Sequence, residues 1–230
     1  MLSPAEWEVI GLSLRVSLVA MAAALPLAYA LAWLLARRRF PGKVLLDALV
    51  HLPLVIPPVV TGWLLLLVFG RNGPLGGLLD RALGLSLAFH WTGAALAAGV
   101  MALPLMVRAM RLSIEAVDRR LVAAARTLGA SRWRAFRTIT LPLSLPGILA
   151  GLVLGFARSV GEFGATITFA ANIPGETRTL PLAIYTLLQT PGGEAAVARL
   201  ALIAVLLSLA ALMASEWLVR RASGKQAHVV

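Results

Sequence analysis

Arg158 and Glu162 lie four residues apart in the otherwise uncharged stretch from Leu143 to Thr166. On an α-helix that spacing lets a guanidinium reach a carboxylate. An ionisable residue inside an apolar span is costly to bury, and so marks a functional site by default. The chemistry on offer is electrostatic. Arg158 would attract an anion, and Glu162 beside it would cancel much of that field. Ser159 and Thr166 add hydroxyls to the same stretch. An ion pair that only pins helix packing fits the same spacing.

The remaining reactive side chains exclude more than they offer. There are no cysteines, so disulfides and thiolate metal sites are ruled out. His51, His90 and His228 are far apart and make no metal-ligand spacing. No Gly-x4-Gly-Lys-Ser/Thr loop is present to cradle phosphates, and there is no His-Glu-x-x-His. The chain is therefore not expected to be an enzyme or to hold a cofactor. What it has in quantity is arginine. Eight fall between Arg108 and Arg137, against Glu115 and Asp118.

The elements around these residues are membrane helices. Of the 230 residues 60% are hydrophobic and 13% charged, against about 25% charged in soluble domains. The net charge of +11 could suggest nucleic acid, but in so apolar a chain it reflects cytoplasmic loops obeying the positive-inside bias. The N-terminal Met-Leu-Ser-Pro-Ala-Glu-Trp-Glu lacks the basic start of a cleaved signal peptide. Five spans are expected, near 10–36, 44–70, 88–107, 143–166 and 195–219.

Ala20, Ala24, Ala28, Ala32 and Ala36 put a small-residue stripe on the first, which Pro26 should bend and where Arg15 can snorkel from the outer end. Pro53, Pro57 and Pro58 predict a bent second span near the centre of the molecule, or a kink that only shapes packing. Residues 71–87 read as a turn-rich external loop. On the fourth span Gly147, Gly151, Gly155 and Ser159 recur at every fourth residue, a ridge for close backbone contact. The apolar run 182–190 is too short to cross and reads as a partly embedded hairpin helix; a sixth span there stays open. Arg37, Arg38, Arg39 and Lys43, the loop arginines, and Arg220, Arg221 and Lys225 put the C-terminus in the cytoplasm and the N-terminus outside.

The loop between the third and fourth spans organises the rest. Val117, Leu121, Ala124 and Leu128 form an apolar stripe. Gly129 stands where that helix should stop, and Ser131 can cap a second one carrying Trp133, Phe136 and Ile139 on one side. An ordinary solvated basic loop is the plainer reading. The spacing nevertheless resembles the cytoplasmic loop of ABC-importer permeases, Glu-Ala-Ala, x3, Gly, x9, Ile-x-Leu-Pro. It falls on Ala123, Ala124, Ala125, Gly129, Ile139, Leu141 and Pro142, with Ala123 in place of the family's glutamate.

A second block resembles the molybdate permease family: Arg158-Ser159-Val160-Gly161-Glu162-Phe163-Gly164-Ala165, then Asn172-Ile173-Pro174-Gly175-Glu176-Thr177 and Thr179-Leu180-Pro181-Leu182-Ala183-Ile184-Tyr185. Its Arg-x-x-Gly-Glu-Phe-Gly-Ala part is also similar to sulfate permeases, whose chains are typically longer.

The resemblance implies an all-α integral membrane fold, a MetI-like permease bundle forming one domain over residues 1–230, in a bacterial or archaeal inner membrane. It implies a coupling loop at about 108–142, with Ala123, Ala124, Ala125, Arg126, Gly129, Ala130, Trp133 and Phe136 against a cytoplasmic ATPase subunit. That subunit, not this chain, would bind ATP and magnesium. The other implied partners are a second copy of the chain, an extracytoplasmic molybdate-binding protein and the bilayer, with no nucleic acid. Arg158, Ser159, Glu162 and Thr166 would line the path. A permease for sulfate, thiosulfate or another oxyanion is the alternative. An ATP-independent secondary transporter would show inverted repeats and several intramembrane acids, where here Glu162 is the one clear case.

Overall fold

Ser3 opens the first helix through a reciprocal cap: its hydroxyl accepts from the Glu6 N–H, and the Glu6 carboxylate accepts from the Ser3 N–H. In the computed structural model, which describes residues 2–226, this helix, α1, runs unbroken over Pro4–Arg37. Ala20, Ala28 and Ala32 are buried, and they share one core with Ala94, Ala98, Ala102 and Met106 of α5, Trp91–Ala116. The alanine stripe is thus the seam between α1 and α5. Arg37 locks its end, donating to the carbonyls of Ile114 (2.7 Å) and Val117 (2.9 Å) at the end of α5. At the other end Arg15 lies over the Trp91 ring, 3.8 Å from its centroid, so the arginine stacks on an aromatic face.

The prolines break the second span more sharply than a kink. α2 covers Lys43–Val55 and α3 Pro58–Phe69, with an angle of 118° between them. Pro57 forces Ile56 into extended backbone, and Pro58 starts the next helix at its first turn. With 13 and 12 residues, the halves are about 20 and 18 Å long, each short of the roughly 30 Å hydrocarbon core. Nor is the pair central within this chain, since Val50, Thr61, Gly62 and Leu65 are its buried residues. Residues 71–87 are likewise not all turn, because Pro74 begins a ten-residue helix, α4, Pro74–Leu83.

After α6, Arg119–Thr127, and α7, Arg132–Ala135, a π-helical turn at Phe136–Thr140 leads directly into α8, Leu141–Val160. The wide turn precedes Pro142, whose ring would meet the Thr138 carbonyl in a regular α-helix. The helix that Ser131 caps is therefore continuous with the fourth span, 29 residues from Arg132 to Val160. That span stops at Gly161 rather than running to residue 166, and Thr166 belongs to a separate helix, α9, Gly164–Ala170. α10, Leu180–Leu188, has nine residues and does not cross; it packs against α1 and α11, Glu194–Gln226. Among the described residues four helices are long and apolar enough to span a membrane, or five if α2 and α3 count as one. No sixth span of sufficient length and apolarity is present among the described residues. His228 lies outside the described residues, as do the side chains of Arg220, Arg221 and Lys225, on which the cytoplasmic reading of the C-terminus rests.

Candidate functional site

Two sets of residues converge. The first is the basic elbow. Asp118 caps α6, its carboxylate accepting from the Arg120 N–H at 2.8 Å, a cap the apolar stripe alone did not indicate. The helix ends at Leu128, and Gly129 follows at φ +88°, the left-handed geometry that favours glycine. Ser131 then accepts from the Arg134 N–H at 3.2 Å and starts the next helix. α6 has no buried residue; Leu121 is 49% and Leu128 89% exposed. Of the stripe expected from the sequence, Val117 is buried at the end of α5, whereas the part on and just after α6, with Leu121 and Leu128, is left open.

Phe136 turns toward α1 instead, with Trp133, itself 65% exposed, laid against it. Their rings stack at 5.3 Å, and Phe136 meets Tyr29 of α1 edge-on at 6.1 Å. Tyr29 in turn lies 3.1 Å from the Ser144 hydroxyl of α8. The elbow is thus braced by aromatic contact with α1 and by direct helical continuity with α8.

The second set surrounds Glu162. Its Oε2 lies 2.6 Å from an Arg158 guanidinium nitrogen. Its Oε1 accepts from the Ala165 N–H at 2.8 Å and so ties the first turn of α9 to the end of α8. Glu162 is 2% exposed, whereas the Arg158 side chain retains 26%. The pairing read from the sequence is therefore made, though Glu162 lies past the end of the helix. Ser159 points elsewhere, donating to the Ser17 hydroxyl of α1 at 3.0 Å. Thr166 is buried in α9. Arg158 is the member of this set with open surface.

Small residues place these groups. A Cβ on Gly151 would lie 3.1 Å from the Met106 carbonyl, and one on Gly155 would lie 2.7 Å from the Met21 sulfur. The glycine ridge of α8 is packed on α5 and α1. Likewise Gly62 of α3 and Gly164 let α3 and α9 touch backbone to backbone.

A further cluster escaped sequence reading. Arg111 pairs with Asp47 of α2 at 3.0 Å and with Glu115 at 2.9 Å, and His51 lies 3.2 Å from Asp47. The four-residue spacings Asp47/His51 and Arg111/Glu115 were the available signal. The link between α2 and α5 was not, being long-range. On another face Glu176 receives His90 Nε2 at 3.0 Å and the Trp91 N–H at 3.2 Å, which holds the 172–181 turn to the start of α5. Among the described residues no group of His, Cys, Asp and Glu could hold a metal ion.

Comparison with known proteins gives three concordant results. The profile of the family described as binding-protein-dependent transport system inner membrane component matches residues 24–224. The Escherichia coli K12 molybdenum transport system permease protein ModB is 60% identical over 219 residues, 95% of this chain and 96% of that protein. The sulfate permease CysW of the same organism is 39% identical, over 88% of this chain and 70% of its own length. Among solved structures, a chain of the bacterial alginate ABC transporter in complex with alginate pentasaccharide-bound periplasmic protein superposes with a TM-score of 0.73. It is 18% identical and is matched over 95% of this chain and 80% of its own.

Proposed function

The chain belongs to the family of binding-protein-dependent transport system inner membrane components, and from that premise we propose that it is the permease of an ATP-driven importer whose cargo is molybdate. It is a multi-pass inner-membrane protein. The observation that carries the cargo is the full-length identity to a molybdenum permease, well above that to the sulfate type. Tungstate is chemically close enough to share the route.

In this reading two copies enclose the path, because one bundle of this size cannot surround it alone. The N-terminus faces outward and the elbow lies in the cytoplasm. ATP and magnesium are bound by a separate ATPase subunit, and an external molybdate-binding protein delivers the cargo. The uncovered face of α6 and the turn that follows it, with Leu121, Ala124, Ala125, Leu128, Gly129 and Ala130, docks on the ATPase. Ala123 and Arg126 complete the coupling set, and Trp133 and Phe136 brace it against Tyr29 of α1. When ATP draws the ATPases together, the elbow moves and α8 moves with it, since α7 at the elbow runs directly into α8. ATP thereby supplies the differential affinity that shifts the transporter between inward and outward states. Of Arg158, Ser159, Glu162 and Thr166, Arg158 faces the path with Glu162 behind it, while the buried Ser159 and Thr166 belong to its wall. Arg158 gives the dianion a transient partner, and Glu162 keeps that stop shallow.

The test is uptake of radiolabelled molybdate by proteoliposomes holding the permease, its ATPase and its binding protein. Uptake should need ATP and resist a large excess of sulfate. Equal competition by sulfate would replace the cargo, and uptake without the ATPase would remove the mechanism.

A further inference from the structure

Between α1 and the elbow lies a cleft of about 1110 Å³ to which the transport reading assigns no ligand. One wall is the end of α1, from Pro26 to Arg38; the other is the inner face of α6 and the start of the helix that follows it. Tyr29, Trp33, Trp133 and Phe136 give the cleft aromatic walls. Arg37, Arg38, Arg119, Arg126 and Arg132 give it five guanidinium groups, and no carboxylate lines it among the described residues. Arg119, Arg126 and Arg132 form none of the ion pairs found among those residues. Five like charges around one space repel one another, and an anion among them relieves that repulsion.

The cleft is graded from end to end. Along α1 it passes from Pro26, Ala30 and Leu34 to Arg37 and Arg38, about 18 Å at the helical rise. That is the polarity profile of one leaflet, from acyl chain to headgroup, and basic pockets beside membrane helices take acidic lipid headgroups. A small soluble anion would use only the arginine end. A segment of the ATPase would have to reach some 16 Å up the helix into hydrocarbon, and a second copy would bring its own basic elbow against this one.

We propose that the cleft binds an acidic phospholipid of the cytoplasmic leaflet, its acyl chain against Tyr29 and Trp33 and its phosphate bridging the basic end of α1 to Arg119 and Arg126. The leaflet rests on the orientation given under the proposed function; the site itself does not. The lipid acts as a strut, holding the inner face of α6 to α1 while the opposite face stays free for the ATPase.

The test uses the intact permease–ATPase complex in mild detergent, with dioleoyl phosphatidylglycerol and dioleoyl phosphatidylcholine offered in equal amounts and read by native mass spectrometry. Neither cargo nor sidedness enters this readout, so a different cargo or the opposite orientation would leave it untouched. Phosphatidylglycerol should be retained at least about ten-fold over phosphatidylcholine. The double substitution R119Q/R126Q should erase that preference, and R119K/R126K should keep most of it. Because Arg126 also belongs to the coupling set, R38Q/R119Q is compared beside it: both side chains are exposed and lie outside that set, so the complex should elute unchanged while the preference still falls. Inorganic phosphate alone should not displace the lipid. Equal retention of the two lipids, a preference that survives R119Q/R126Q, displacement by phosphate, or cross-linking of Ala30→Cys to the ATPase would each overturn the proposal.

Discussion

Removing the Arg158 guanidinium would leave the Glu162 carboxylate buried with only the Ala165 N–H for company. Stranding one member of a buried pair costs on the order of 3 kcal/mol, less where a partner keeps access to water. Arg158→Ala should therefore lower the melting temperature of the purified complex as well as molybdate uptake. That alone would not separate a path residue from a structural one. The double substitution R158A/E162Q removes the stranded charge and keeps an acceptor for Ala165. It should return the melting temperature close to the unsubstituted value while uptake stays depressed several-fold. Recovery of uptake together with stability would make the pair structural and take Arg158 out of the path.

At the scale of elements, what matters is how α8 is gripped at one end and steered at the other. A Cβ on Gly147 would run into the Ser113 Cβ and stand 2.8 Å from the Ala109 carbonyl, while one on Gly155 meets the flexible side chains of Met21 and Met106. Backbone cannot give way as methionine can. Gly147→Ala should destabilise the complex by about 1–3 kcal/mol, and Gly155→Ala by clearly less, measured as thermal unfolding in detergent. At the elbow, valine is strained at the φ of +88° that Gly129 adopts, whereas asparagine tolerates this region. Gly129→Val should abolish ATP hydrolysis coupled to transport, and Gly129→Asn should retain much of it; normal coupling with valine would refute the docking assignment.

These elements were legible where the signal was periodic and local. The alanine stripe, the glycine ridge, the Gly129 stop and the Ser131 cap each announce themselves within a few turns of helix. The 118° reversal at Pro57 was legible only as a bend, because proline fixes where a helix fails but not where the chain goes next. The continuity of the elbow with α8 was hidden for the opposite reason. Pro142 reads as a break, yet a single π turn absorbs it. The Asp47–Arg111 pair joins residues 64 apart, beyond any window of local pattern.

At the scale of the whole molecule the chain is covered in apolar side chains. Val44, Leu45, Leu49, Val55, Val59 and Trp63 on α2 and α3 are all more than half exposed, a surface for lipid or for a second copy. Such a body has no water-facing shell to fix its orientation, and charge must do it. Fifteen of the twenty-one lysines and arginines fall in the segments assigned to the cytoplasm, and translocating that many charges is what the positive-inside bias opposes. Sidedness is therefore the premise shared by the ATPase contact and the lipid's leaflet, and the absence of native cysteines makes it directly testable. Thr127 at the elbow and Pro174 in the turn before α10 are both exposed. A membrane-impermeant maleimide should modify Thr127→Cys in inside-out vesicles and not in intact cells, and should modify Pro174→Cys in the reverse pattern. If Thr127→Cys reacts from outside, the elbow cannot reach a cytoplasmic motor, and the coupling assignment fails even if the cargo is molybdate.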